Sequence, residues 1–259
     1  MYYLEGVLER EPWLLPCDAS GINASAALGF DSSTRQYKVM HVVSDSNGFE
    51  IFNLTGVDER WERVSGPWEE DLDDRPFNPI DFRWKDPVSI NGRILHWYVD
   101  SSEYFISVEV KEGGFSRTYR PIKSRKYSLV ELGGFLSVVY CDSDMKMDVW
   151  ILEDFEVQVW SKKHTIVAES INYICLKSLK SSSQHEGSMP NLGKLVPVTG
   201  VRNGRLLILK HRNSNIYVYD TRTNVMKKAR SNMKNLVSFI PYKDSLFSMN
   251  RISQCRDLI

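Results

Sequence analysis

The residues able to do chemistry in this sequence are scattered, and none stands at the spacing of a known catalytic motif. His96 lies beside Trp97 in an apolar run, where it could serve as an acid or base. A hydrogen-bonded structural role suits that setting better. The remaining histidines show no metal-ligand spacing to one another or to cysteine. They are His41, His164, His185 and His211.

The densest carboxylate cluster is the run from Glu69 to Asp74. It lacks the alternating acids and fixed glycine of a calcium loop, which favours a solvated acidic loop. No phosphate-binding glycine loop or nucleophile elbow is present, and nothing selects a carboxylate pair for glycoside hydrolysis. We therefore predict no catalytic, cofactor-binding or metal-binding residue, no cofactor, and a protein that is not an enzyme.

Composition limits the partners and the compartment. The 259 residues carry a formal net charge of zero, so no global field favours nucleic acid or an anionic membrane. No apolar run is long enough for a membrane helix, and the first residues lack the apolar core of a signal peptide. Four distant cysteines suggest reduced thiols. We expect a cytoplasmic or nuclear protein without membrane or nucleic-acid partners. The cysteines are Cys17, Cys141, Cys175 and Cys255.

Basic clusters and tryptophans are the remaining candidates for contact with a partner. The basic clusters could meet an acidic partner or nucleic acid, although protection of strand edges by charge is the favoured interpretation. They are Lys123–Lys126, Lys162–His164 and Lys227–Arg230. We expect Trp97, Trp150 and Trp160 to pack in the core. The tryptophans in or near loops are Trp13, Trp61, Trp68 and Trp84; an exposed one could anchor a partner.

These residues must be positioned by short antiparallel strands. The stretch Leu129–Trp160 reads as four strands, with period-two alternation broken by Gly, Asp and Ser. The same order of turns and strands recurs after Gly92, which lies 42 residues before Gly134, and after Gly204. Four strands per unit and a period near 40 to 50 residues are typical of β-propeller blades. An irregular β-sandwich is the alternative.

We therefore predict one all-β domain over residues 1–259, built as a propeller-like and possibly incomplete array of four-stranded antiparallel blades. An irregular N-terminal segment covers 1–25, an acidic inter-blade loop covers 66–85, and a Ser-rich insertion covers 162–193. Val237–Pro241 and Ser245–Met249 would add two strands of an incomplete unit, which the N-terminal strand could join.

Several segments in this order resemble the plant F-box associated domain, type 3, over residues 26–230. The first is Ala27–Asp31 with Tyr37–Val39, similar to the family's GFD…YKV opening. Asn91–Gly92 with Leu95–Trp97 resembles its NG-x-LHW motif. The match continues through Leu132–Leu136, Val149–Asp154, Trp160–Lys163, Tyr219–Asp220 and Thr223.

The resemblance implies a kelch-like β-propeller that recognises target proteins for ubiquitination by a cullin-type ligase. In this family an N-terminal F-box docks on a Skp-type adaptor. Residues 1–25 are too few for a three-helix F-box, and Pro12 and Pro16 interrupt them. We expect a target protein as partner, with the adaptor bound only if an F-box lies elsewhere in the full gene product. A propeller enzyme, hydrolase or oxidoreductase, and a glycan-binding module are the alternatives.

Overall fold

In a computed structural model, four antiparallel meanders of the predicted kind, together with one small two-stranded sheet, make up the β structure of the described residues. The structure describes residues 3–4, 13–14, 24–43, 48–54, 61–64, 66–67, 87–124, 126–174, 189–211 and 215–229. Helical structure in these ranges is confined to two three-residue 3-10 turns, Ala168–Ser170 and Leu192–Lys194. No helix there has the length and apolar character of a membrane span.

Each blade is a meander in which consecutive strands pair antiparallel. Blade 1 comprises β3 (Ala24–Asp31), β4 (Gln36–Val43), β5 (Gly48–Asn53) and β6 (Glu62–Val64). Blade 2 comprises β7 (Val88–Ile90), β8 (Ile94–Trp97), β9 (Tyr104–Glu109) and β10 (Phe115–Tyr119). Blade 3 comprises β11 (Tyr127–Leu132), β12 (Phe135–Ser143), β13 (Lys146–Asp154) and β14 (Val159–Val167). Most short apolar runs separated by turn residues became strands where the sequence predicts them, but β14 overlaps the predicted stretch Leu129–Trp160 only at Val159 and Trp160.

Blade 4 has one strand more than the repeat predicts. Its meander is β16 (Leu195–Val201), β17 (Leu206–His211), β18 (Ile216–Asp220) and β19 (Val225–Lys228). β15 (Asn172–Ile174) pairs parallel to β19 and covers its outer edge. The insertion predicted to begin at 162 begins later, because β14 continues to Val167 along β13. A parallel partner across 50 residues is invisible to local alternation.

The N-terminal segment is not wholly irregular. β1 (Tyr3–Leu4) and β2 (Trp13–Leu14) form a two-stranded antiparallel sheet, and β3 begins inside the predicted segment at Ala24. Most of the acidic loop 66–85, the polar stretch 181–188 and the two strands expected over 237–241 and 245–249 lie outside the described residues.

Two hydrophobic clusters fill the spaces between blades. One joins blades 1, 2 and 3, and it includes Trp97, which is fully buried and donates its indole N–H to Ser25 Oγ at 2.9 Å. The other joins blades 3 and 4 and is mostly aliphatic. Trp150 and Trp160 are half-buried against the first cluster, so of the three tryptophans expected in the core only Trp97 is fully buried. The alternating pattern around Trp150 specified its strand but not how deeply its neighbours cover it.

Candidate interaction surface

The turns between the first and second strands of the four blades gather on the inner side of the array. We call residues 32–35, 91–93, 133–134 and 202–205 the axial turns. The first strands of neighbouring blades lie side by side, with β11 against both β7 and β16. Phe30 N donates to Gly92 O at 2.7 Å, which joins the axial turns of blades 1 and 2. A Cβ on Gly133 would come within 3.0 Å of Asn203 O, so blades 3 and 4 approach equally closely.

Tight backbone geometry holds each axial turn in shape. Arg35, Asn91, Arg202 and Asn203 have positive φ angles between 53° and 57°, a region that non-glycine residues seldom occupy. In blade 1, Asp31 Oδ1 accepts hydrogen bonds from the backbone N–H groups of Ser33 and Thr34. Such hairpin turns match the twist of the flanking strands, and they present their side chains from fixed positions.

Arginine occupies the same position in three axial turns, directly before the second strand of the blade. These arginines are Arg35, Arg93 and Arg205, and blade 3 has Gly134 instead. Arg205 is paired with Asp220, with Nη2 at 2.8 Å from Oδ2. Arg35 and Arg93, together with Arg202, are exposed and form no ion pair with any residue that the structure describes.

The acids beside these arginines are already engaged. Asp31 is buried, lies 2.9 Å from Lys38 Nζ and accepts from Ser33 Oγ at 2.6 Å. The hydrogen bond from Ser33, followed by that from Lys38, holds the pKa of Asp31 well below its usual range despite burial. The hydrogen bond from Arg205 lowers the pKa of Asp220 to about 2, and Glu131 Oε1 accepts from Gly134 N at 2.6 Å. Positive charge therefore prevails at the axial turns.

An exposed aromatic ring lies at the one axial turn without arginine. Phe135 follows Gly134 and is 45% exposed. A Cβ at Gly134 would meet nothing within 4 Å, so this backbone is open to a partner. The positive φ of 92° explains why glycine stands at this position. The exposed Phe135 ring is therefore an apolar group beside the basic turns.

A narrow cleft between blades 1 and 2 extends the basic surface outward. It is lined by Phe30, Ser32, Arg93, Glu109 and Lys111. Arg93 O accepts from Val110 N at 2.8 Å, which fixes the backbone from which the Arg93 side chain projects. The cleft thus combines two cations with one carboxylate and one aromatic ring.

His96 has the hydrogen bond that its sequence setting suggests. Its Nδ1 lies 2.7 Å from Ser107 Oγ, which lies 2.7 Å from Thr118 Oγ1. Burial lowers the pKa of His96 to about 3, so the ring is neutral at physiological pH. The rings of Phe105 and Phe155 meet it edge-on, and this chain of polar groups ties three strands of blade 2 together.

The other candidates from the sequence are dispersed. His41 is buried with Nδ1 3.2 Å from Glu50 Oε2, and His164 Nε2 lies 3.2 Å from Tyr219 OH. In the described part of the chain, no three His, Cys, Asp or Glu side chains form a metal-binding group. Trp61 is half-buried against His41 and Phe52, and Trp160 donates to Tyr119 O at 3.0 Å. Trp68, Trp84, His185 and the side chain of Trp13 lie outside the description.

The basic clusters have different structural roles. Lys162 and Lys163 lie on β14, the edge strand of blade 3, as charge protection of an edge predicts; Lys162 also pairs with Asp148 at 2.9 Å. Lys123 pairs with Glu103 at 2.7 Å in an exposed position. For Lys227 the edge interpretation is wrong, because β15 pairs with its strand from Val225 to Lys227, and Lys228 follows the last paired residue.

The axial arginines were not among the predicted contact residues, although a repeated tripeptide marks two of them. Asn91-Gly92-Arg93 and Asn203-Gly204-Arg205 repeat one tripeptide before the second strand of two blades. The Asn-Gly pair marks the turn, and a shared third residue indicated a shared outward position. Neither segment is a dense charge run, so neither stood out as a basic cluster.

Four meandering blades, with the first strand of blade 3 against those of blades 2 and 4, define a β-propeller-like domain. Residues 9–230 match the F-box associated beta propeller domain, and the chain belongs to this family. An F-box protein of Arabidopsis thaliana is 30% identical over 99 residues, which are 36% of this chain and 26% of that protein. The match thus spans about a quarter of that relative. Family and relative together support a protein-interaction module.

Solved structures show a more distant likeness. YCF48 from Cyanidioschyzon merolae is 13% identical with a TM-score of 0.43, over 84% of this chain and 59% of that chain. PorZ of Porphyromonas gingivalis is 13% identical with a TM-score of 0.43, over 79% of this chain and 22% of that chain. At these scores the likeness carries no argument about function.

Proposed function

We propose that this chain is the target-recognition domain of a cullin-type ubiquitin ligase of the F-box class. The observation that carries the proposal is the set of axial turns. They are fixed by tight backbone geometry, and their exposed Arg35, Arg93 and Arg202 form no ion pair with a described residue. Binding residues are commonly placed on loops held by a rigid scaffold. Membership of the F-box associated family supplies the context.

Target binding and adaptor binding require two different surfaces. The blades hold a target protein, and an F-box elsewhere in the full gene product binds the Skp-type adaptor through apolar helix faces. In the described blades, the large apolar side chains mostly lie between sheets. The domain acts in the cytoplasm or nucleus, needs no cofactor and performs no chemistry of its own.

The proposal is tested by joining an F-box to the chain and measuring the turnover of a bound protein. The chain is fused to an F-box and expressed in plant cells, and proteins captured by the chain alone are followed for turnover after synthesis is blocked. We expect a captured target to be degraded faster with the fusion than with the chain alone. A fusion carrying an F-box that cannot bind the adaptor is the matched control. Equal turnover with both fusions would refute the proposal.

Adaptor binding is measured separately with purified proteins. The chain alone should leave the adaptor in solution, whereas an intact F-box protein should retain it. Direct binding of the adaptor by the chain at micromolar affinity would contradict the proposed division of labour.

A further inference from the structure

We propose that the axial turns dock an acidic segment of the target protein, with carboxylates on Arg35, Arg93 and Arg202 and an apolar side chain against Phe135. This inference rests on the proposed function and names the surface and the partner chemistry that it leaves open. The arginines belong to blades 1, 2 and 4, and Phe135 belongs to blade 3, so all four blades contribute.

Charge complementarity selects the partner. The whole chain is neutral, yet Asp31 and Asp220 are ion-paired and Glu131 is hydrogen-bonded within the fold, and Glu109 shares its cleft with two cations, Arg93 and Lys111. The exposed guanidinium groups of Arg35, Arg93 and Arg202 therefore keep a positive potential. A planar guanidinium binds carboxylate through two parallel hydrogen bonds, so Asp and Glu side chains are its fitting partners.

The fixed shape of the turns reduces the entropic cost of binding. Phe30 N bonds Gly92 O, Asp31 binds two backbone N–H groups of its own turn, and Arg93 O accepts from Val110 N. A surface already in its binding conformation loses less freedom when a partner docks. These bonds hold the backbone of the arginines in place before the partner arrives.

The exposed Phe135 ring adds selectivity for an apolar side chain next to the acidic residues of the partner. The Phe135 ring is 45% exposed, and the turn of blade 4 lies close to the turn that precedes it, since a Cβ on Gly133 would be 3.0 Å from Asn203 O. An apolar residue of the partner would cover Phe135 while flanking carboxylates reach the arginines. Removal of this apolar surface from water strengthens binding.

The outer turns favour a short acidic segment over nucleic acid. Near the turns between third and fourth strands, Glu109 ends β9 in blade 2, Asp154 ends β13 in blade 3, and Glu156 follows it in the turn. A nucleic acid needs a continuous row of cations along its backbone, and these carboxylates would repel it. A short peptide over the axial turns meets only Glu109 of these three, and Glu109 shares its cleft with the cations Arg93 and Lys111.

The test uses a fluorescent synthetic peptide of about ten residues, rich in Asp and Glu around one Leu, and fluorescence anisotropy. We expect the wild-type chain to bind it and the double variant Arg35→Glu/Arg93→Glu to bind at least about tenfold more weakly. The double variant Arg35→Gln/Arg93→Gln should fall between them. Affinity of the wild type should drop as salt rises from about 0.1 M to about 1 M, which shortens the screening length to about 3 Å.

A matched charge reversal controls for net charge. Lys126→Glu/Lys163→Glu changes two exposed cations outside the axial turns and should leave peptide affinity unchanged. Phe135→Ser should weaken the Leu peptide more than a peptide with Ser in its place. Equal loss with both double reversals, no binding by the wild type, or tighter binding of an RNA oligonucleotide of equal charge would overturn the proposal.

The two proposals fail in different ways. If the wild type captures a target that the F-box fusion degrades, and Arg35→Glu/Arg93→Glu captures it equally, the docking surface is wrong and the ligase role stands. If the acidic peptide binds as expected but no fusion accelerates turnover of any captured protein, the ligase role is wrong and the docking surface stands.

Discussion

Two interfaces between neighbouring blades, or seams, are packed by different kinds of contact. One lies between blades 2 and 3, and the other lies between blades 3 and 4. We call the first the aromatic seam, because rings and side-chain hydrogen bonds span it. Tyr127 OH donates to Val99 O at 2.7 Å, and the Arg120 guanidinium lies 3.8 Å from the Tyr127 ring centroid. Arg120 also donates to Ser101 O and Ser124 O, so it joins a loop of blade 2 to the connection into blade 3.

The seam between blades 3 and 4, the glycine seam, relies on close backbone approach. A Cβ on Gly200 would lie 2.3 Å from Leu132 Cδ2 and 2.7 Å from Glu131 O. Behind this contact lies a cluster of aliphatic side chains, two methionines and two tyrosines. The aromatic seam is stabilised by the side chains of Tyr127 and Arg120. The glycine seam can form because Gly200 has no Cβ. Removal of atoms should damage the first, and addition of atoms should damage the second.

The largest effect is expected from emptying the aromatic seam. Tyr127→Ala removes a ring that is 1% exposed and should lower the free energy of unfolding by about 4 kcal/mol through the cavity left behind. Tyr127→Phe keeps the ring and loses the bond to Val99 O, at about 1 to 2 kcal/mol. Urea denaturation measures both, and an alanine variant as stable as wild type would disprove the role of this ring.

The next effect comes from filling the glycine seam. Gly200→Ala should cost about 3 kcal/mol, because the added carbon collides with the backbone of β11 as well as with Leu132. Gly114→Ala is the matched control, since its Cβ would meet nothing within 4 Å; its change should stay within about 0.5 kcal/mol. If the two variants unfold at the same urea concentration, the close approach does not exist in solution.

A histidine at each seam allows the comparison to be repeated with pH. Burial lowers the pKa of His96 to about 3, so the unfolded chain takes up the proton first. The stability that depends on neutral His96 is complete above about pH 6.5 and falls as pH decreases toward about 3. Between about pH 7.5 and about pH 5, wild type should lose about 2 kcal/mol more than His96→Gln.

His164 at the glycine seam is the control for this pH effect. Burial also lowers its pKa, but it is only half-buried, so His164→Gln should remove a smaller part of the pH dependence. Denaturation midpoints measured across this range test the order. Identical pH profiles for wild type and His96→Gln would show that His96 is accessible to protons in the folded state.

The smallest effect is expected from Trp150, at the margin of the aromatic seam. Its indole N–H is buried without a partner among the described residues, so Trp150→Phe removes an unsatisfied donor along with some packing. The two changes oppose each other, and stability should move by less than about 1 kcal/mol. Trp97→Phe breaks the bond to Ser25 and should cost clearly more. If Trp150→Phe destabilised the protein more than Trp97→Phe, the assigned burial of the two indole rings would be wrong.

Much of the fold was predictable because its signals are local. Alternation and turn residues located the first three strands of blade 3 within Leu129–Trp160, although the fourth begins only at Val159, and the Asn-Gly pair at Asn91 marked a hairpin that the structure shows. A turn and the alternation beside it depend on residues that are neighbours in sequence. The family resemblance followed from the same segments, and it is confirmed over residues 9–230.

The candidate surface was predictable only in its parts. The repeated Asn-Gly-Arg tripeptide was visible, but the pairing of Arg205 with Asp220, the absence of an ion pair at Arg93 among the described residues and the open space over Gly134 are tertiary features that local sequence does not reveal. Local charge density pointed instead to Lys227 and Lys228, whose strand is covered by β15.

The sequence by itself determined the strand periodicity, the position of the turns and the family. Only the tertiary structure decided that Trp97 and not Trp150 is fully buried, that Gly200 has no room for a Cβ, and that β15 joins blade 4. The physical reason is the sequence separation over which each property is determined. Backbone geometry and alternation are set within a few residues, whereas burial, close approach and net potential are sums over atoms that folding brings together from distant segments.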